Sequence, residues 1–161
     1  MANFNTDIFR CFHSDWALLT AGDEQSFNTM TISWGGLGTL WGKSVATVYV
    51  KPIRYTYDFM EKNEYFTVSF FPDDCHADLV TLGTKSGRDG DKLALTGLTP
   101  KPLAKAMTFA QAKTTLLCRK IYWQDLTLEN MPADAVAAHY QNEAPHRMYI
   151  AEVLEVIEEK I

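Results

Sequence analysis

What this 161-residue sequence lacks narrows its function before any motif is weighed. No apolar run approaches the ~18 residues that a bilayer-spanning helix needs, so a membrane partner is not expected. Cysteine is scarce: Cys11, Cys75 and Cys118 are too few and too far apart for a disulfide framework or a paired zinc knuckle. That usage fits a reducing, cytoplasmic setting. The opening MANFNTDIFRCFHSDW has no basic start followed by an apolar core, and a secretory signal is not expected. Positive charge is not in excess. Fifteen Lys and Arg against 20 Asp and Glu give a net charge of −5, which disfavours a nucleic-acid partner.

Several catalytic signatures are missing as well. No G-x-S-x-G elbow supports a hydrolase triad. Gly42-Lys43-Ser44 resembles the end of a phosphate-binding P-loop, but the first glycine of that motif would fall at Leu37. A strand-like run, Val45-Ala46-Thr47-Val48, also follows where a helix should. The glycines at 35, 36, 38 and 42 therefore read as a flexible or tightly turned connection. Asp73, Asp74, Cys75, His76 and Asp78 have metal-ligand chemistry, yet no second His or Cys pair stands at ligand spacing. Acidic residues at a helix start also cap free N–H groups, and that reading is preferred, with no metal expected. Cys118 reads as a core or pocket-wall thiol, and His146 alone is uninformative.

What is present is apolar and aromatic. Hydrophobic residues make up 47% and charged residues 22%, with 4 Trp, 7 Tyr and 9 Phe, the profile of one packed domain over 1–161. Strand patterns fall at Trp16–Thr20, Phe27–Trp34, Val45–Val50, Tyr65–Phe71, Thr114–Tyr122 and Arg147–Val156. Phe4–Phe12 reads as an irregular lead-in. Helical patterns fall at Arg54–Lys62, after Pro72 and at Asp134–Tyr140; the second places Leu79, Val80 and Leu82 inward and ends at Gly83. Pro100 and Pro102 read as breakers. The order predicts an α+β, barrel-like domain rather than a doubly wound sheet.

Two stretches carry candidate chemistry. In Asn28–Trp34, Thr29, Thr31 and Ser33 alternate with Asn28, Met30 and Ile32, so three hydroxyls share one strand face. With backbone N–H groups and Arg54 they would make a multi-donor pocket for a phosphate or an electron-rich ring; alternatively they face water on an ordinary edge strand. Ser86–Lys92 has two glycines, a hydroxyl, Arg88 and Lys92, which suit either an anion or a solvated surface loop.

Together these pieces resemble the flavin reductase-like family of FMN-binding split barrels, in particular its flavoredoxin-like members. The resemblance is carried by NTMTISW at 28–34, KPIRYTYDFM at 51–60, EYFTVSFF at 64–71, SGRDGDK at 86–92, LLCRKIYWQDL at 116–126 and HRMYIAEV at 146–153. It implies a mainly β, Greek-key split β-barrel with short flanking helices. It also implies an FMN site. Asn28, Thr29, Met30, Thr31 and Ser33 would line the flavin with Trp34 nearby. Pro52, Arg54, Tyr55 and Thr56 would hold the phosphate and ribityl side, and Ser86, Gly87, Asp89 and Lys92 would complete the pocket. Ala151 stands where such members commonly have Gly.

The resemblance further implies a homodimer with cofactor near the subunit boundary, and no catalytic side chain, because the flavin carries the chemistry. The function expected is an FMN-binding oxidoreductase passing electrons from NAD(P)H or a protein donor to an acceptor. An FMN-binding shuttle without its own NAD(P)H oxidation shares the same pocket. A non-redox β-barrel interaction protein is the third possibility. No G-x-G-x-x-G fingerprint follows a strand, so a nicotinamide would bind only transiently, over the flavin.

Overall fold

A computed structural model describes residues 2–159. The domain expected over 1–161 thus includes Met1, Lys160 and Ile161, which lie outside the described residues. The chain begins with a single turn, α1 (Ile8–Arg10), whose N-terminus is capped by Asp7, and runs on as a π-type turn through Asp15. The lead-in is therefore ordered helix over part of its length. Then come β1 (Ala17–Gly22), β2 (Phe27–Ile32), β3 (Gly35–Leu40), β4 (Lys43–Val50), α2 (Tyr55–Lys62) and β5 (Tyr65–Phe70). After a short 3-10 turn follow α3 (His76–Thr84), β6 (Pro100–Leu103), β7 (Ala106–Phe109), β8 (Thr114–Asp125), α4 (Ala133–His139) and β9 (Arg147–Glu158).

Seven strands form one antiparallel sheet in the order β2-β1-β5-β8-β9-β4-β3, and β6 and β7 make a separate hairpin. The mainly β class with short helices is as expected. The ladder is not closed: β2 and β3, adjacent in sequence, are its two ends. Edge strands keep one row of backbone donors and acceptors without a strand partner, and β2 brings that row to the site.

The core explains the strand pattern. β1 is buried on both faces. Ala17, Leu19 and Ala21 join Val48, Phe66, Phe70, Leu116 and Tyr149 in the main cluster. Leu18 faces the other way, into a second cluster with Phe71, Leu79, Leu82 and Phe109. α2 is anchored by Met60, fully buried in the main cluster. Each such large side chain contributes about 1.5–3 kcal/mol by leaving water.

Four expectations are corrected. The glycine connection is strand β3, paired with β4 from Gly35↔Val48 to Leu40↔Lys43. Only Trp41-Gly42 is a turn, with φ of 51° and 71°, the left-handed pair that two-residue hairpins use. Glycine hides strand alternation, yet at Gly35 a Cβ would lie 2.6 Å from the Phe12 ring, so the close approach needs its absence. Pro100 and Pro102 lie within β6, where a two-stranded ribbon tolerates their missing N–H groups. Gly83 is inside α3 rather than its stop, facing Thr31, and Val80 is 42% exposed because the inner stripe belongs to Leu79 and Leu82. Finally, no side chain caps the helix start after Pro72. Asp78 instead accepts from the Gly97 N–H at 3.2 Å.

Candidate functional site

β2, the N-terminus of α2 and the loop over 86–92 converge on a hollow of ≈ 460 Å³. Asn28 and Met30 line it from β2, Arg54, Tyr55 and Thr56 from the entry to α2, and Ser86, Gly87 and Lys92 from the loop. These three stretches lie far apart in sequence and are joined by specific contacts. The Asn28 amide donates to the Thr56 hydroxyl at 2.8 Å. A Cβ on Gly87 would sit 2.4 Å from Asn28 Oδ1 and 2.9 Å from the Tyr55 ring, so only glycine lets the loop close on the strand. Arg88 donates to the Ile53 carbonyl at 2.8 Å and tethers the loop's outer side.

The hollow is cationic. Lys92 is buried, and its ammonium donates to the Leu82 and Lys85 carbonyls at 3.0 and 3.3 Å. Arg54 donates to the Gly83 carbonyl at 3.2 Å. Both cations thus rest on the carbonyl end of α3, where the helix dipole favours positive charge. Among the described residues, no carboxylate stands within ion-pair distance of either. Burial, and next the Arg54 charge, pull Lys92 down from the usual lysine range to about 8, so it remains mostly protonated at neutral pH. Arg54 is also the N-cap of α2, and no side chain caps that helix, leaving first-turn N–H groups for an incoming acceptor.

A second hollow of ≈ 300 Å³ adjoins the first, sharing Met30, Lys51 and Arg54. Its walls include Thr31, Ser33, Trp34, Tyr49, Gly83 and His146. The Trp34 ring lies 5.1 Å from His146 and 5.0 Å from His139. Tyr140 and His146 Nδ1 share a hydrogen bond of 2.7 Å. Burial, followed by the Lys51 charge, pulls His146 down to about 4, so the imidazole is neutral at pH 7. Beyond Ser33, Trp34 and Tyr49 a larger apolar hollow of ≈ 1080 Å³ opens, walled by Phe12, Leu37 and Met148 and edged by the exposed Phe9.

The hydroxyl stripe works differently from the sequence expectation. Thr29 donates to the Leu19 carbonyl and meets Thr20, and Thr31 donates to the Leu79 carbonyl. Those hydroxyl protons serve strand and helix packing, so Thr29 and Thr31 present main chain rather than donors. Asn28 and Met30, from the opposite alternation, face the first hollow, and Thr29 borders a neighbouring one of ≈ 380 Å³. Pro52 shapes the turn closed by Arg54 N–H to the Lys51 carbonyl and does not line the hollow. Asp89 is exposed and likewise outside it. Sequence reasoning missed Lys51, Tyr49, Glu143 and His146 as wall residues; only Lys51, beside Pro52 in the same motif, offered a signal.

The donor set suits FMN: two uncompensated cations, a hydroxyl and free helix N–H groups for a phosphate, next to a partly apolar wall for a ring. A methyl at Gly87 would fill part of that cradle. Among the described residues no cluster of three or more His, Cys, Asp or Glu could hold a metal ion, and no helix is long and apolar enough to cross a membrane.

The family model for the flavin reductase like domain matches residues 9–160. No curated protein matches significantly. Flavoredoxin from Methanosarcina acetivorans is 18% identical with a TM-score of 0.70, over 91% of this chain and 69% of that one. Flavoredoxin of Desulfovibrio vulgaris (Miyazaki F) is 21% identical with a TM-score of 0.70, over 90% and 69%. An FMN-binding domain of a flavin reductase-like enzyme from Shewanella baltica is 18% identical with a TM-score of 0.67, over 94% and 74%. At such identities the structures share the fold. The chain belongs to the flavin reductase like domain family.

Proposed function

We propose that this member of the flavin reductase like domain family binds FMN across the two adjoining hollows and serves as a flavin-dependent oxidoreductase, with NAD(P)H as the transient electron donor. The observation that carries the reading is the pairing of Arg54 and Lys92, two cations held on the carbonyl end of α3 with no carboxylate partner among the described residues. Placing them there costs desolvation and mutual repulsion, which an incoming phosphate dianion offsets.

Each residue then has a part. Lys92 and Arg54 supply charge, and the N-terminus of α2 supplies N–H groups. Asn28 occupies the Thr56 hydroxyl oxygen, which leaves that hydroxyl's proton free for a phosphate oxygen. Gly87 and Ser86 line the loop side of the hollow, where they would cover the bound group. Met30 and Trp34 form the apolar side of the ring hollow, while Lys51, ion-paired with Glu143, stands between the two hollows, where it would be the cation nearest the ring. Bound FMN would supply two-electron acceptance from a nicotinamide and onward delivery to an acceptor. A positive group fixed beside a ring that gains negative charge stabilises the reduced form. The apolar wall around Phe9, Phe12 and Leu37 is the face we assign to a second copy of the chain, consistent with its continuity with the ring hollow through Ser33, Trp34 and Tyr49.

Anaerobic mixing of the FMN-loaded protein with NADH and with NADPH tests the assignment. Bleaching of the flavin absorbance by one of them is expected. No bleaching by either, with reduction by a protein donor, would replace the reductase by an FMN-binding electron carrier.

A further inference from the structure

The rim of the first hollow carries a carboxylate that phosphate affinity alone does not explain. The lining has four cationic side chains, Lys51, Arg54, Lys85 and Lys92, and one acid, Glu143. Like charge beside a bound anion weakens it, so an acid at this place needs another reason. Glu143 is also held in position. Its Oε2 accepts from Lys51 Nζ at 2.7 Å. The same ammonium donates to the His139 carbonyl at 3.1 Å and stands 5.4 Å over the Tyr140 ring. The hydrogen bond and charge of Lys51, with smaller help from Arg54, keep the Glu143 carboxyl below the usual range, so it is ionised at neutral pH.

Depth separates the charges. Lys92, Asn28 and Thr56 are buried at the inner end, whereas Ile53, Thr84, Lys85 and Glu143 are exposed at the rim. A ligand that ends in one phosphate keeps its whole charge of about −1.5 to −2 at the inner end. A ligand that continues past that phosphate must leave over the rim. Two of the three Lys51 protons are already donated, to Glu143 and to His139. Lys85 makes no side-chain hydrogen bond among the described residues, so no contact holds its ammonium at the exit as Lys51 holds the Glu143 carboxylate.

We propose that the Lys51–Glu143 pair is a specificity-determining element that restricts this hollow to a ligand ending in a phosphate monoester, and so selects FMN over FAD. The inference rests on the flavin reading above. In FAD the inner phosphate becomes one half of a pyrophosphate and carries a single charge, which weakens its hold on Arg54 and Lys92. Its second phosphate then meets the fixed Glu143 carboxylate at the exit. Selection comes from a repulsive group as much as from an attractive one.

The test measures dissociation constants of FMN and FAD by flavin fluorescence for the unaltered protein and for Glu143→Gln, which keeps shape and removes charge. The expected result is a fall of fivefold or more in the ratio of FAD to FMN constants, mainly through tighter FAD, with the difference shrinking at high salt. An unchanged ratio, with both constants moving together, would overturn the proposal. FMN binding that Arg54→Ala weakens, alongside an unmoved ratio in Glu143→Gln, would overturn this inference alone. Absence of binding of either flavin to the unaltered protein would overturn the flavin reading and this inference with it.

Discussion

The Asn28 side chain and the Thr56 hydroxyl, 28 positions apart, hydrogen-bond at 2.8 Å with both residues buried. This contact joins the edge strand β2 to the first turn of α2 and sets the direction in which Thr56 can donate. Thr56→Val should therefore weaken FMN by roughly tenfold or more, the weight of one hydrogen bond to a charged group. It should also cost about 1–3 kcal/mol of stability by leaving the Asn28 amide without its acceptor. Thr56→Ser should retain both. Fluorescence titration and denaturant unfolding separate the two effects.

Arg54→Ala and Lys92→Met should each cost about 2–5 kcal/mol of FMN affinity, ~30-fold and upward in dissociation constant. Their effects on folding should differ. Lys92 is buried and its charge is disfavoured by burial, while its ammonium serves the Leu82 and Lys85 carbonyls, so in Lys92→Met the relieved charge should offset the lost hydrogen bonds and leave stability nearly unchanged. A loss of stability in Lys92→Met without loss of FMN affinity would assign the lysine to the fold instead.

The lowered Lys92 titration gives a pH signature. Its folded value of about 8 lies below the ordinary 10.5, so between these values the unfolded chain binds more protons than the folded one. Stability of the flavin-free protein therefore gains from Lys92 as pH rises through that window, and this gain is absent below about pH 8. FMN affinity should move oppositely, falling as Lys92 loses its charge above about pH 8. Calorimetry near that pH, in buffers of different ionisation enthalpy, should register proton uptake on FMN binding, and Lys92→Met should abolish it.

Gly87→Ala tests the loop closure. A methyl there must displace Asn28 Oδ1 or the Tyr55 ring, so the loop over 86–92 should open and FMN affinity fall by about tenfold. Thermal stability should fall with it, since a displaced Asn28 loses its hydrogen bond to the Thr56 hydroxyl and the opened loop carries the buried Lys92.

Much of the architecture was legible in the sequence because β-branched and aromatic runs mark buried strands. Tyr65–Phe70 and Arg147–Glu158 start at the residues expected and end within two residues of them. β3 was not legible, because Gly35, Gly36 and Gly38 remove the side-chain alternation that reveals a strand. The cationic pair was legible through its place in short motifs: Arg54 follows Pro52, and Lys92 closes the glycine loop. The purpose of the Thr29 and Thr31 hydroxyls was not, since their acceptors, the carbonyls of Leu19 and Leu79, are set by tertiary packing. Glu143 and His146 lie late in the chain and reach the hollows only through the return of β9 beside β4.

The central claim is that this fold recognises a flavin by its phosphate. Parallel fluorescence titrations of the flavin-free protein with FMN and with riboflavin test it most directly, because the two ligands differ only in that group. The account requires saturable binding of FMN at one equivalent per chain and at least ~30-fold weaker binding of riboflavin. Equal affinity for the two, or no binding of FMN, would contradict it.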